Sequence, residues 1–128
     1  MQTEEFVREV ADIAGLSDQD TAAAISRATV ETICAYLPAE QARDLAAQLP
    51  SELTRAAEAG IQQNIDAPAK ITLDEFFQRV ATRAEVDRDS VEPASRAAAT
   101  VFKRALSRGE STDVVMDAPP ELDALLSG

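Results

Sequence analysis

Glu4-Glu5-Phe6-Val7-Arg8-Glu9-Val10-Ala11 returns later in the chain as Asp74-Glu75-Phe76-Phe77-Gln78-Arg79-Val80-Ala81. Read outward from this pair, more of the chain falls into the same register. Ser26-Arg27-Ala28 recurs as Ser95-Arg96-Ala97, and Leu37 to Leu53 aligns without a gap on Leu106 to Leu122. Within that stretch Asp44 meets Asp113, Pro50 meets Pro119, and Glu52-Leu53 meets Glu121-Leu122. The offset is 70 for the first segment and 69 afterwards, so one residue is lost in the loop near Leu16–Ala22. Matches that keep their order along the chain are the signature of an internal repeat. The chain therefore reads as one helical block written twice.

Each copy is expected to form four helices. Phe6, Val10, Ile13 and Ala14 make a helical stripe after Thr3 as N-cap. In the second copy Thr72-x-x-Glu75 has capping-box spacing and opens a helix carrying Phe76, Phe77, Val80 and Ala84. A second helix begins at Ser17-x-x-Asp20, or at Asp87-x-x-Ser90, where short polar side chains accept from unpaired backbone N–H groups. Its core stripe is Ile25, Ala28, Thr29, Ile33, Tyr36 and Leu37, matched by Ala94, Ala97, Ala98, Phe102, Ala105 and Leu106. Pro93 is read as lying in the first turn, where a missing N–H is tolerated. A third helix follows Leu37, with Pro38 at N1, carries Leu45, Ala46 and Leu49, and stops before Pro50; its counterpart carries Val114, Val115 and Met116 and stops before Pro119. A short fourth helix spans Leu53–Ala59, or Leu122–Leu126, and Gly60–Ile71 is the linker.

No strand-like alternation appears, so the expected class is all-α. Two tandem four-helix repeats, about 3–59 and 72–126, pack about a pseudo-two-fold axis into a single domain spanning 1–128. Each half has few large side chains, too few for a comfortable core of its own. The alanine runs Ala22–Ala24 and Ala97–Ala99 are the expected close contact between halves.

Composition closes off several chemistries. The 128 residues include no histidine, which removes the usual neutral-pH base and the commonest zinc and haem ligand. One cysteine, Cys34, permits no internal disulfide. The net charge of −11 repels phosphate backbones and anionic bilayers, so neither nucleic acid nor membrane is an expected partner. The acidic start and the lack of a long apolar run fit a cytoplasmic protein.

Candidate sites are few. Glu5, Glu9 and Asp12 share a helical face that could bind a divalent cation or form the wet side of an amphipathic helix; the second copy has Arg79 and Thr82 in place of Glu9 and Asp12. Asp18/Asp20 and Asp87/Asp89 look like calcium loops but lack the glycine and glutamate such loops require, and serve instead as helix caps. Cys34, on the flank of a core helix, reads as a buried inert thiol. Arg96, Lys103 and Arg104 share one face with Arg108 just beyond, a speculative stripe for an acidic partner or phosphate-bearing ligand, or simply an ordinary charged face and helix terminus. No cofactor is implied.

Gln41-Ala42-Arg43-Asp44-Leu45-Ala46-Ala47-Gln48-Leu49-Pro50, Leu73-Asp74-Glu75-Phe76-Phe77-Gln78-Arg79-Val80-Ala81, and Ser107-Arg108-Gly109-Glu110 followed by Asp113-Val114 resemble strings of the prokaryotic domain-of-unknown-function family 2267. The resemblance spans nearly the whole chain. It implies a small, duplicated, all-helical cytosolic protein and assigns no activity or active-site residue. The expected function is a non-enzymatic acidic helical module that acts by contact, with a protein partner or with itself. A small-ligand or lipid-binding helical protein is the alternative, and a carboxylate-dependent metal protein the third reading.

Overall fold

The computed structural model describes residues 2–63 and 71–106. They form α1 (Thr3–Ala14), α2 (Gln19–Ala35), α3 (Ala39–Ala46), α4 (Ser51–Gln62), α5 (Leu73–Ala84) and α6 (Arg88–Leu106), with no strand among them. The fold is all-α. The expected third and fourth helices of the second copy fall in residues 107–128, outside the described residues.

Capping chemistry sets the helix starts. At α5 the Glu75 N–H donates to Thr72 Oγ1 and the Thr72 N–H donates to Glu75 Oε1, both at 3.1 Å. At α1 the N-cap is Gln2, not Thr3 as the sequence predicts, and the Gln2 N–H donates to Glu5 Oε1 at 3.4 Å. Gln2 lies 70 residues before Thr72, the offset of the expected repeat, and glutamine is not a residue that announces a cap. Asp18, not Ser17, caps α2, accepting from the Asp20 N–H at 3.0 Å and the Thr21 hydroxyl at 2.7 Å. The Thr21 hydroxyl first, then the Asp20 N–H, hold the Asp18 carboxyl below its usual range.

The ends follow the same logic. Gly15 closes α1 in the left-handed region at φ 71°, with the Leu16 N–H bonded to the Ala11 carbonyl at 2.8 Å. Glu85 closes α5 at φ 58°, with the Val86 N–H on the Ala81 carbonyl at 3.0 Å. Pro38 and Pro50 stand as N-caps of α3 and α4, so Pro38 lies one position before the expected N1, and α3 ends at Ala46, which leaves Leu49 beyond the helix that the sequence predicts it to join. The Thr54 hydroxyl lies within 2.9–3.2 Å of the Ala46, Leu49 and Pro50 carbonyls, tying the end of α3 to the first turn of α4. Pro93 corrects an expectation. It lies in the second turn of α6, where its missing N–H costs the helix a bond to the carbonyl of Asp89.

The helix α2 lies at the centre, in contact with α1, α4, α5 and α6. The packing is reciprocal: α1 rests on α6 and α5 rests on α2, while α3 rests on α4. One continuous buried cluster takes Phe6 and Val10 from α1, Ile25 and Ile33 from α2, Leu45 from α3, Leu53 from α4, Phe76 and Phe77 from α5, and Phe102 from α6. The predicted α2 stripe is buried throughout, and Ala94, Ala97, Ala98 and Phe102 are buried on α6. Buried hydroxyls are satisfied: Ser26 and Thr32 donate to the carbonyls four residues back at 2.7 Å, and Thr29 Oγ1 pairs with Ser95 Oγ of α6 at 3.0 Å.

Two further expectations change. Ile13 is 49% exposed, because α1 buries Phe6, Val7, Val10 and Ala11. Val7 and Ala11 form a small second cluster with Ala22, which turns the buried arc away from Ile13. The fourth helix does not stop at Ala59; α4 runs from Ser51 to Gln62, and Ile71 is buried in the core. Gly60 therefore sits inside a helix and not in a linker. A Cβ there would lie 2.1 Å from the Glu31 carbonyl oxygen and 3.1 Å from the Ala35 amide nitrogen of α2. Glycine at this position lets two backbones touch.

Gly60→Ala should therefore destabilise the protein by about 1–3 kcal/mol despite the better helix propensity of alanine. Denaturant melts read the change. Unaltered or raised stability would mean that α4 does not approach α2 this closely.

Candidate functional site

An open cleft of about 520 Å³ lies where α2, α4 and the last turn of α5 meet, and its lining includes Ala24, Arg27, Ala28, Glu31, Glu52, Arg55, Ala56 and Arg83. Helical spacing builds it. Ala24, Arg27, Ala28 and Glu31 fall on one face of α2, and Glu52, Arg55 and Ala56 on one face of α4. The alanines form a low floor.

Arg83 is the fixed part of this site. Its Nε donates to Glu31 Oε2 at 2.7 Å, its Nη1 donates to Thr32 Oγ1 at 3.0 Å, and its Nη2 donates to Gln63 Oε1. Gln63 Nε2 in turn donates to Glu31 Oε2 at 2.6 Å. The Arg83 and Glu31 side chains are only 22% and 25% exposed, so their attraction is less screened than that of a surface pair. Three elements are tied by this network: α2, the end of α4 and α5.

Arg27 and Arg55 differ. Both are exposed, and neither makes a hydrogen bond or ion pair among the described residues. Glu31 lies four residues from Arg27, at ion-pair spacing, but its charge is taken by Arg83 and Gln63. The charged lining of three arginines against two glutamates leaves the cleft net positive on an acidic protein. A neighbouring cleft of about 450 Å³ between α1 and the start of α2 carries Glu4, Asp20 and Glu52 against Arg8, the opposite balance.

The residues singled out from sequence lie elsewhere. Arg96 donates from Nε to Glu92 Oε2 at 3.0 Å and stacks over the Phe77 ring at 5.2 Å from its centroid. Arg88 also sits 5.2 Å from the Phe77 centroid and is bonded to Asp74 at 2.9 Å. Arg104 instead reaches Glu9 of α1, at 4.0 Å. Arg96 thus faces α5 and Arg104 faces α1. Lys103 is half-buried, and Arg108 lies outside the described residues. Of the acidic trio, Glu5 caps α1, Glu9 meets Arg104, and Asp12 is exposed; among the described residues no three acids or thiols are grouped to hold a metal ion. Cys34 is buried, and desolvation pushes its thiol up to about 12.

The arginine cleft was missed in the linear reading because its walls are 28 residues apart. A signal was present: Arg27-Ala28 on α2 and Arg55-Ala56 on α4 are the same doublet, a cation beside a small residue on a helix face.

A double-mutant cycle on Arg83→Met and Glu31→Gln should give a coupling of about 1–2 kcal/mol, above the roughly 0.2–1 kcal/mol of an exposed pair. Additive effects would mean that the pair is solvated. Cys34 should not react with a thiol reagent in the native state and should react fully in denaturant. Because burial raises its pKa, the stability linked to the neutral thiol is present below the unfolded value of 9.0 and is lost as pH rises from there towards about 12.

No helix among the described residues is long and apolar enough to cross a membrane. No curated protein matches the chain. The family model described as an uncharacterised conserved protein (DUF2267) matches residues 3–125. With its helices in place and nearly its full length matched, the chain belongs to that family.

Proposed function

We propose that the protein is a non-enzymatic cytoplasmic module that works by contact, built from two copies of one helical unit related by a pseudo-two-fold axis. The reciprocal packing of α1 on α6 and α5 on α2 supports the duplicated arrangement, because exchanging the first two helices of one copy for those of the other reproduces it. In the repeat register Gln2 matches Thr72, and Gly15 matches Glu85, at equivalent helix ends.

The observation that carries the reading is the division of labour among the charged groups. The Glu31–Arg83 and Asp74–Arg88 pairs join different helices, Arg96 pairs with Glu92 along α6 and lies over Phe77 of α5, and the single thiol is buried and protonated at neutral pH. Arg27 and Arg55 remain outside this scheme, in an open cleft. Groups placed to hold a partner are thus separate from groups placed to hold the fold. The two copies also differ here. Arg27 corresponds to Arg96, which is paired, and Arg83 corresponds to the exposed Ile13, so these two cleft arginines have no equivalent free or network-forming group in the other copy.

Affinity purification at native expression level, run in parallel with R27E/R55E, tests this. A partner retained by the wild type and lost by the folded variant is the expected result. Equal retention by both would remove the cleft as the contact surface.

A further inference from the structure

We infer that the cleft between α2 and α4 recognises a phosphate group, held by Arg27 and Arg55 against the alanine floor. The inference rests on the contact reading above and names the chemistry the contact surface reads.

Arginine supply and arginine saturation point the same way. A guanidinium carries five N–H donors. Arg83 commits three directions to Glu31, Thr32 and Gln63, which leaves one N–H on each terminal nitrogen of a side chain locked in place on the cleft wall. Arg27 and Arg55 bring their full forks from the other helices, unengaged by any described residue. Many donors approaching one space from three helices suit a tetrahedral oxyanion with several acceptor oxygens better than a planar carboxylate. Ala24, Ala28 and Ala56 leave the depth such a group needs.

Carboxylates are also the wrong key on other grounds. The chain has 23 of them, and two line this cleft, yet neither Glu31 nor Glu52 pairs with Arg27 or Arg55. An acidic segment would have to bring several spread charges against a body of net charge −11. A phosphate concentrates about −1.5 to −2 charges in one site. The neighbouring α1–α2 cleft, with three acids and one arginine, should reject it.

Two sources supply the same chemistry, a free small-molecule phosphate and a phosphorylated side chain. The test titrates the full chain with pyrophosphate and, separately, with a phosphoserine hexapeptide, following Arg Nε–H and backbone amide NMR signals. Saturable shifts at Arg27, Arg55 and their helix faces are expected, with apparent affinity at least tenfold weaker in R27Q/R55Q and severalfold stronger in E52Q. Tighter binding of the peptide assigns the phosphate to a partner protein, and tighter binding of pyrophosphate assigns it to a small molecule. The assignment is overturned if neither probe saturates at this cleft, if the shifts persist in R27Q/R55Q, or if a hexaglutamate peptide binds as tightly. A protein partner lost in R27E/R55E while neither phosphate probe binds would leave the contact reading standing and remove the phosphate.

Discussion

A helix surrounded by four others must present small side chains or backbone on most of its sides, and α2 meets that demand. Ser26, Ala28, Thr29, Thr32 and Ala35 are all buried along it, and its hydroxyls are satisfied without water. Where α4 crosses, the contact reaches backbone at Gly60. The larger residues, Ile25, Ile33 and Tyr36, sit between these close approaches and join the common core. Interiors are packed to crystal-like density, so a methyl group added at a close approach has no free volume to enter. The placement of the other helices depends on this slim centre.

The same constraint shapes the charged surface. Arg27 on α2 and Arg55 on α4 line one open cleft together with the small side chains of Ala24, Ala28 and Ala56. Arg83, entering from α5, takes up the one carboxylate that would otherwise have neutralised Arg27. An acidic protein thus keeps a local positive site without any run of basic residues in its sequence. Net charge describes the far field, while pairing geometry decides the near one.

Helix class, the start of α5 and the α2 core stripe were legible in the sequence because each has a local cause: the Thr72–Glu75 box and the spacing of Ile25, Thr29, Ile33 and Tyr36. The misreadings share a tertiary cause. Ile13 looks like a core residue on an isolated helical wheel, but which arc of α1 is covered depends on Ala22 of a different helix. Gly60 looks like a break until α2 lies against it. Arg96 and Arg104 share a face of α6, yet α5 and α1 divide that face between them. The arginine cleft needs two helices brought side by side, a relation that no window along the chain contains.

The ends of α1 and α5 have the same left-handed turn, one made by glycine and the other by Glu85. A residue with a side chain tolerates this backbone region at a cost that glycine does not bear. If both copies descend from one ancestor, the turn has outlived the residue best suited to it, held by the Leu16-to-Ala11 and Val86-to-Ala81 hydrogen bonds that follow. The shape of this corner is thus set by the backbone hydrogen bonds that follow it and not by one side-chain type.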